Sequence, residues 1–231
     1  MKGSLGAEQV VDLLSKLGVS NSALARDKAS LPLLLSRSPS LIFRLVAFLS
    51  SDLIRMPVGR VGPLLRRSEC NELLNAVAPT TSLNAGSNSK LNSDPDLDNT
   101  YREMRTVAKY LRDTVGVEDM AKVVAAYPGV LLLNSTSQIF PVVEYLCKDI
   151  GMDGESVSKT VQTFPHLLGM SVCKMNETVH YLGSLEISME SLGKMIRAFP
   201  SILTLDLNTN MVPVVDFLRE IGVVNIGRII T

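Results

Sequence analysis

Tryptophan is absent from this chain, aromatic residues make up 5% of it, and cysteine occurs only as Cys70, Cys147 and Cys173. So few rings leave the core to Leu, Val, Ile and Met, and make base stacking a minor contributor to any ligand binding. Three scattered cysteines, an odd number, argue against a disulfide framework and point to a reducing compartment. No apolar run approaches the roughly 18 residues of a membrane span. The opening MKGSLGAEQV holds neither a signal-type apolar stretch nor an Arg/Ser-rich transit pattern, so any targeting segment is expected outside this chain. Net charge is missing too, with 23 Lys and Arg against 23 Asp and Glu.

Signals of catalysis are equally scarce. The two histidines, His166 and His180, have no Cys or carboxylate at ligand spacing, so a zinc site is not expected. Asp94, Asp96 and Asp98 open like a calcium loop, but Asn99 stands where the glycine belongs and Arg105 where the final acid belongs. Neither a phosphate-cradling Gly-rich loop nor a nucleophile elbow occurs. The reading is therefore a protein with no catalytic residues, no metal and no cofactor.

What the chain does have is a period of about 35 residues. A Val-x-x-aromatic-Leu pattern or close variant falls at residues 107–111, 142–146, 178–182 and 214–218. After each leucine comes a hydrophobic-Gly pair or its degenerate form: Val115-Gly116, Ile150-Gly151, Leu185-Glu186, Ile221-Gly222. Tyr127-Pro128, Phe164-Pro165 and Phe199-Pro200 follow, leading into Leu131-Leu132, Leu167-Leu168 and Ile202-Leu203. Leu14, Leu17-Gly18, Leu31-Pro32, Leu34-Leu35 and Phe48-Leu49 repeat the order near the start. Self-similarity at this spacing marks a stack of helical units, each contacting its neighbours. The gap from Leu49 to Leu111 is too long for one unit, and residues 78–100, rich in Ser, Asn, Asp, Gly and Pro, are expected to form a flexible insertion in the second repeat.

Within a unit, residues 118–126 and 156–163 carry an amphipathic stripe, Met120, Val123 and Val124 or Val157 and Val161. Each proline stops that first helix, because it lacks an amide donor and clashes with the preceding turn. A second helix is expected to start near Pro141 and Pro213, where a ring is tolerated early, and to close at the following glycine.

The order amphipathic helix, aromatic-Pro, x-x-Leu-Leu or x-Ile-Leu, Val-Val-x-aromatic-Leu, then Leu/Ile-Gly resembles the mitochondrial transcription termination factor family of plant organelles. The likeness runs from about Val10 to the end and is strongest over residues 100–231; in the second repeat Arg67 or Ser68 stands in the proline's place. It implies an all-α solenoid of about six repeats over residues 1–231, two helices plus a short turn helix each, curved into a half-ring and incomplete in its last repeat. It also implies a chloroplast or mitochondrial location and a non-enzymatic role on organelle DNA or RNA, in transcription termination, transcription regulation or RNA processing. Pentatricopeptide arrays share the period, but their base-reading side chains at fixed positions are missing. Tetratricopeptide arrays need a Trp-containing pattern that this chain lacks.

Aligning the repeats exposes one recurring cation. Arg26, Lys122, Lys159 and Lys194 each stand six residues before a repeat proline, with Arg60 within one residue of the same place. Repeated on one face, they would form a ladder for a polyanion; equally, the position suits lysine as a solvent-facing helix former. Arg55, Arg60, Arg66 and Arg67 crowd the second repeat with Arg44 just before them, and of the adjacent Arg66 and Arg67 at most one is expected to touch a phosphate. Residues 1–90 hold 11 basic against 6 acidic residues and residues 91–231 hold 12 against 17, which favours the N-terminal half for nucleic-acid contact. The expected function is backbone recognition of organelle nucleic acid by a monomer, with Arg26, Arg60, Arg66, Arg67, Lys122, Lys159 and Lys194 as contacts; the alternative is a scaffold that docks proteins of an organelle gene-expression complex. The apolar ending Ile229-Ile230-Thr231 reads as a truncated last unit.

Overall fold

A computed structural model describes residues 11–12, 15–16, 39–77, 95–223 and 226–227, all of them helix, turn or irregular backbone with no strand. The elements run α1 (Pro39–Leu49), α2 (Val58–Leu65), a 3-10 turn (Ser68–Cys70), α3 (Asn71–Ala76), α4 (Pro95–Asp113), α5 (Met120–Ala126) and a 3-10 turn (Pro128–Leu132). A π turn (Ser135–Ile139), α6 (Phe140–Lys148), α7 (Gly154–Thr163), a 3-10 turn (Pro165–Gly169) and α8 (Val172–Ser184) follow. The described chain then closes with α9 (Met189–Ala198), a 3-10 turn (Pro200–Thr204), a π turn (Leu207–Met211) and α10 (Val212–Glu220). The chain divides into two compact units, residues 1–112 with 119–132 and residues 113–118 with 133–231.

The aromatic-Pro step does what its chemistry dictates. Tyr127, Phe164 and Phe199 end α5, α7 and α9 in extended backbone, with φ between −139 and −137 and ψ between 72 and 86, the conformation a following proline enforces. Each proline then opens a 3-10 turn whose leucines, Leu131, Leu167, Leu168 and Leu203, are buried. In the second repeat Ser68 opens that turn and Arg67 takes the extended place of the aromatic.

The second helices differ with their prolines. α8 has Glu177 at the position of Pro141 and Pro213, and it runs as one α-helix. Ahead of Pro141 and Pro213 the helix begins earlier than the prolines suggested, as a π turn in which the Ile139 amide donates to the Asn134 carbonyl and the Met211 amide to the Asp206 carbonyl. The proline ring cannot donate and presses on the turn before it, so that turn widens. The Asn134 side-chain oxygen caps the first of these π turns, accepting from the Ser137 amide at 2.8 Å, and the Asp206 carboxylate caps the second, accepting from the Thr209 amide at 2.9 Å; at the start of α7 the Asp153 carboxylate accepts from the Ser156 amide at 2.7 Å.

One boundary needs correcting. α4 starts at Pro95, so residues 95–100, expected to belong to the flexible insertion, are helical; residues 78–94 lie outside the described residues. A proline is favoured in a first turn, where its missing donor costs nothing, and the helix it opens continues into the buried stripe of Met104, Val107, Ala108 and Leu111.

Burial follows the repeat register. In the second unit Val142, Tyr145 and Leu146 of α6 are buried, with the Tyr145 hydroxyl 3.4 Å from Asn176 Oδ1 on α8. The same register positions on α10 leave Val214 and Phe217 more than half exposed. Leu146→Ala is expected to destabilise by about 2–5 kcal/mol and Phe217→Ser by no more than about 0.5 kcal/mol, measured by urea unfolding. Acidification tests the caps. Hydrogen bonds from Ser156 to Asp153, and from the Thr209 amide to Asp206, hold both carboxyls below their ordinary 3.8. A carboxyl depressed in the folded state stabilises above its unfolded pKa and loses that contribution as pH falls through the folded value. The melting temperature should therefore drop as pH falls below about 4, and less steeply in Asp153→Asn/Asp206→Asn.

Candidate nucleic-acid interface

The basic ladder resolves into cations of different standing. Arg26 lies outside the described residues. Arg60 is exposed on α2. Arg66 caps the end of α2 and Arg67 is extended beyond it, so the two are not neighbours on one helix. Arg67 is engaged structurally: Nη1 donates to the Ala125 carbonyl at 2.5 Å, tying the turn before α3 to the end of α5, and Nη2 pairs with Glu69 at 2.5 Å.

Lys122, Lys159 and Lys194 are all exposed, on α5, α7 and α9, as the repeat alignment requires. Two of them are not bare charges. Lys159 Nζ lies 2.6 Å from Glu155 and Lys194 Nζ 2.7 Å from Glu190, each carboxylate one turn earlier on the same helix. The hydrogen bond to Glu155 raises the Lys159 pKa, with Asp153 and Glu118 adding to the effect, while the bond from Lys194 lowers that of Glu190. Lys148 pairs with Glu144 in the same way at 2.5 Å. Glutamate four residues ahead of lysine is the favourable orientation on a helix. The signal was present in the sequence, since Glu118, Glu155 and Glu190 each precede a ladder lysine by four. Glu118, however, lies before the Asp119 cap of α5, and Lys122 makes no ion pair among the described residues.

A second basic surface stands on α4. Arg102, Arg105, Lys109 and Arg112 recur at i, i+3, i+7 and i+10, which brings them to one side of the helix over roughly 15 Å. Arg102, Arg105 and Lys109 are exposed and make no ion pair among the described residues, whereas Arg112 is half-buried and donates to the Asp52 carbonyl at 3.0 Å. From α1, the Arg44 guanidinium lies 5.1 Å from the centre of the Tyr101 ring, one turn before Arg105. Burial pushes the Tyr101 hydroxyl up to about 12, so the ring beneath Arg44 is neutral.

This face is not a property of the repeat. Counted from the repeat leucine, the matching positions are Ser137 in the π turn before α6, then Phe140, Glu144 and Cys147 on α6, and Cys173, Asn176, His180 and Gly183 on α8. In the last unit they are Thr209 in the π turn and Val212, Asp216 and Arg219 on α10, whose lone cation sits 3.6 Å from Asp216. The spacing Arg-x-x-Arg-x-x-x-Lys-x-x-Arg could have revealed the α4 face from sequence. Counting charge by halves divided at residue 90 concealed it inside an acidic total.

Residues 108–230, more than half of the chain, match the mTERF family. The chain belongs to that family. It is also 27% identical over 101 residues to the transcription termination factor MTERF8, chloroplastic, of Arabidopsis thaliana, a match covering 43% of this chain and 20% of that protein. The chain thus spans about a fifth of the relative it matches. For this mTERF protein, among the described residues, no group of three or more His, Cys, Asp and Glu side chains could hold a metal ion, and no helix is long and apolar enough to cross a membrane.

The pairing pattern makes a direct prediction. Lys159→Gln/Lys194→Gln should change nucleic-acid affinity by less than about twofold, because each lysine is already offset by its own carboxylate. Fluorescence anisotropy with a labelled duplex measures this.

Proposed function

We propose that this mTERF protein is a non-enzymatic, nucleic-acid-binding regulator of organelle gene expression, acting in the chloroplast. Family membership supports the class of function, and the relative's chloroplast designation supports the location. The observation that carries the binding mode is the face of α4, where Arg102, Arg105 and Lys109 stand exposed with no ion pair among the described residues. Like charges three and four apart weaken a helix, while the lysines of α6, α7 and α9 each have a glutamate at that distance. A polyanion relieves the repulsion on α4. A stripe of about 15 Å spans roughly four phosphates along one strand of a duplex, at 3.4 Å of axis each.

Binding is then a backbone event, in which cations displace condensed counterions and fix the protein on the nucleic acid. Anisotropy titrations with duplex DNA and duplex RNA between 50 and 200 mM salt test it. Binding should weaken steeply with salt, and Arg102→Gln/Arg105→Gln/Lys109→Gln should flatten the log–log slope by about 2–3. Failure of the wild-type chain to bind either duplex at micromolar protein and near-physiological salt would sink the proposal and favour a protein-docking scaffold.

A further inference from the structure

One stripe of the second unit breaks the burial register that its other helices obey. Val214, Phe217 and Ile221 are 56%, 59% and 59% exposed, and their i, i+3, i+7 spacing aligns them along roughly 10 Å of α10 and its end. Counted from the repeat leucine, the matching residues of the two preceding repeats are covered. Val142, Tyr145 and Ile150 are buried, as are Thr178 and Leu185, with Tyr181 half-buried between them. In the first of these sets the cover is visibly helical. The Tyr145 hydroxyl meets Asn176 of α8, and Gly193 brings α9 so near that an added Cβ would lie 3.6 Å from the Ile150 carbonyl. Single exposed apolar residues are ordinary, whereas a contiguous row of large ones marks a contact surface. The element that fits this row is a helix, as at the same register on α6.

Charge around the stripe selects the sign of that helix. Residues 113–118 with 133–231 hold 7 basic against 12 acidic residues. On α10 Asp216 is offset by Arg219 at 3.6 Å, whereas Glu220 is exposed and makes no ion pair among the described residues. Glu220 lies one turn after Phe217, in the last turn of α10, where the helix dipole already concentrates negative charge. It therefore weakens its own helix, and a cation beside it removes the repulsion. A second copy of α10 fits less well, because it would bring one acid-rich unit against another.

We infer that Val214, Phe217 and Ile221 dock an amphipathic helix of a partner protein, its apolar stripe laid along α10 and a lysine or arginine set beside Glu220. The inference stands apart from the nucleic-acid reading, which rests on the basic face of α4. Apolar contact supplies the affinity, and Glu220 selects against acidic helices.

The test uses the whole chain and a fluorescein-labelled helical peptide of about 18 residues, with leucines at i, i+3, i+4 and i+7 and lysines elsewhere. Wild type should bind it with a micromolar Kd by anisotropy. Phe217→Ser should weaken binding at least about tenfold while melting within about 2 °C of wild type, and Glu220→Gln should weaken it about threefold at 50 mM salt and not measurably at 500 mM. Phe43→Ser, which removes an exposed ring from α1, should bind as wild type does. Absence of saturable wild-type binding at about 100 μM overturns the proposal, as does equal weakening by Phe43→Ser. Equal binding of the same peptide with glutamate in place of lysine overturns the cation assignment. A drop of more than about 5 °C in Phe217→Ser shows that the face packs within the chain, which also overturns the docking site. A wild-type dimer in sedimentation that Phe217→Ser dissociates assigns the face to a second copy instead.

Discussion

The structure hangs on the extended residue ahead of each repeat proline. At Tyr127, Phe164 and Phe199 the chain cannot remain helical, because the proline ring excludes the helical conformation of the residue before it. The first helix of each unit therefore ends at a fixed point, and the 3-10 turn that follows delivers Leu131, Leu167 or Leu203 into the core. Where the proline is missing, another interaction supplies the constraint. Arg67 adopts extended backbone before Ser68 and is held there by its bond to the Ala125 carbonyl. A backbone restriction in three units is replaced in a fourth by a charged hydrogen bond.

Charge is organised by local pairing rather than by totals. Lysines of α6, α7 and α9 are matched to glutamates one turn away, so they support their helices and contribute little field at a distance. On α4 the same spacing places cation next to cation. Two surfaces with similar numbers of basic residues thus present very different potentials to a polyanion. An overall charge of zero is compatible with a strongly attractive face, provided the compensating acids lie elsewhere.

Most of the fold was legible because its signals are backbone restrictions written into single residue types. Proline, the positive-φ glycines and the leucine spacing gave the helices and their ends, and the family followed from the same residues. The helical start at Pro95 was obscured by polar composition, since a helix that exposes most of its surface resembles a loop when only composition is counted. The candidate site was less legible for a different reason. Alignment by repeat emphasises what recurs, so it drew out Lys122, Lys159 and Lys194, and passed over the α4 face, which occurs once. Arg112 could not be placed from sequence either, because its partner, the Asp52 carbonyl, is 60 residues away.

The widened turns before α6 and α10 bear on how such an array tolerates drift in length. From repeat proline to repeat leucine the unit containing α8 counts 17 residues, Pro165 to Leu182, while the units with a π turn count 18, Pro128 to Leu146 and Pro200 to Leu218. The additional residue is absorbed as an extra step within one helical turn, ahead of the packing face. Val142, Tyr145 and Leu146 consequently meet their neighbours in the same phase as Thr178, Tyr181 and Leu182. An insertion that would rotate a regular helix by about 100° is confined to its first turn.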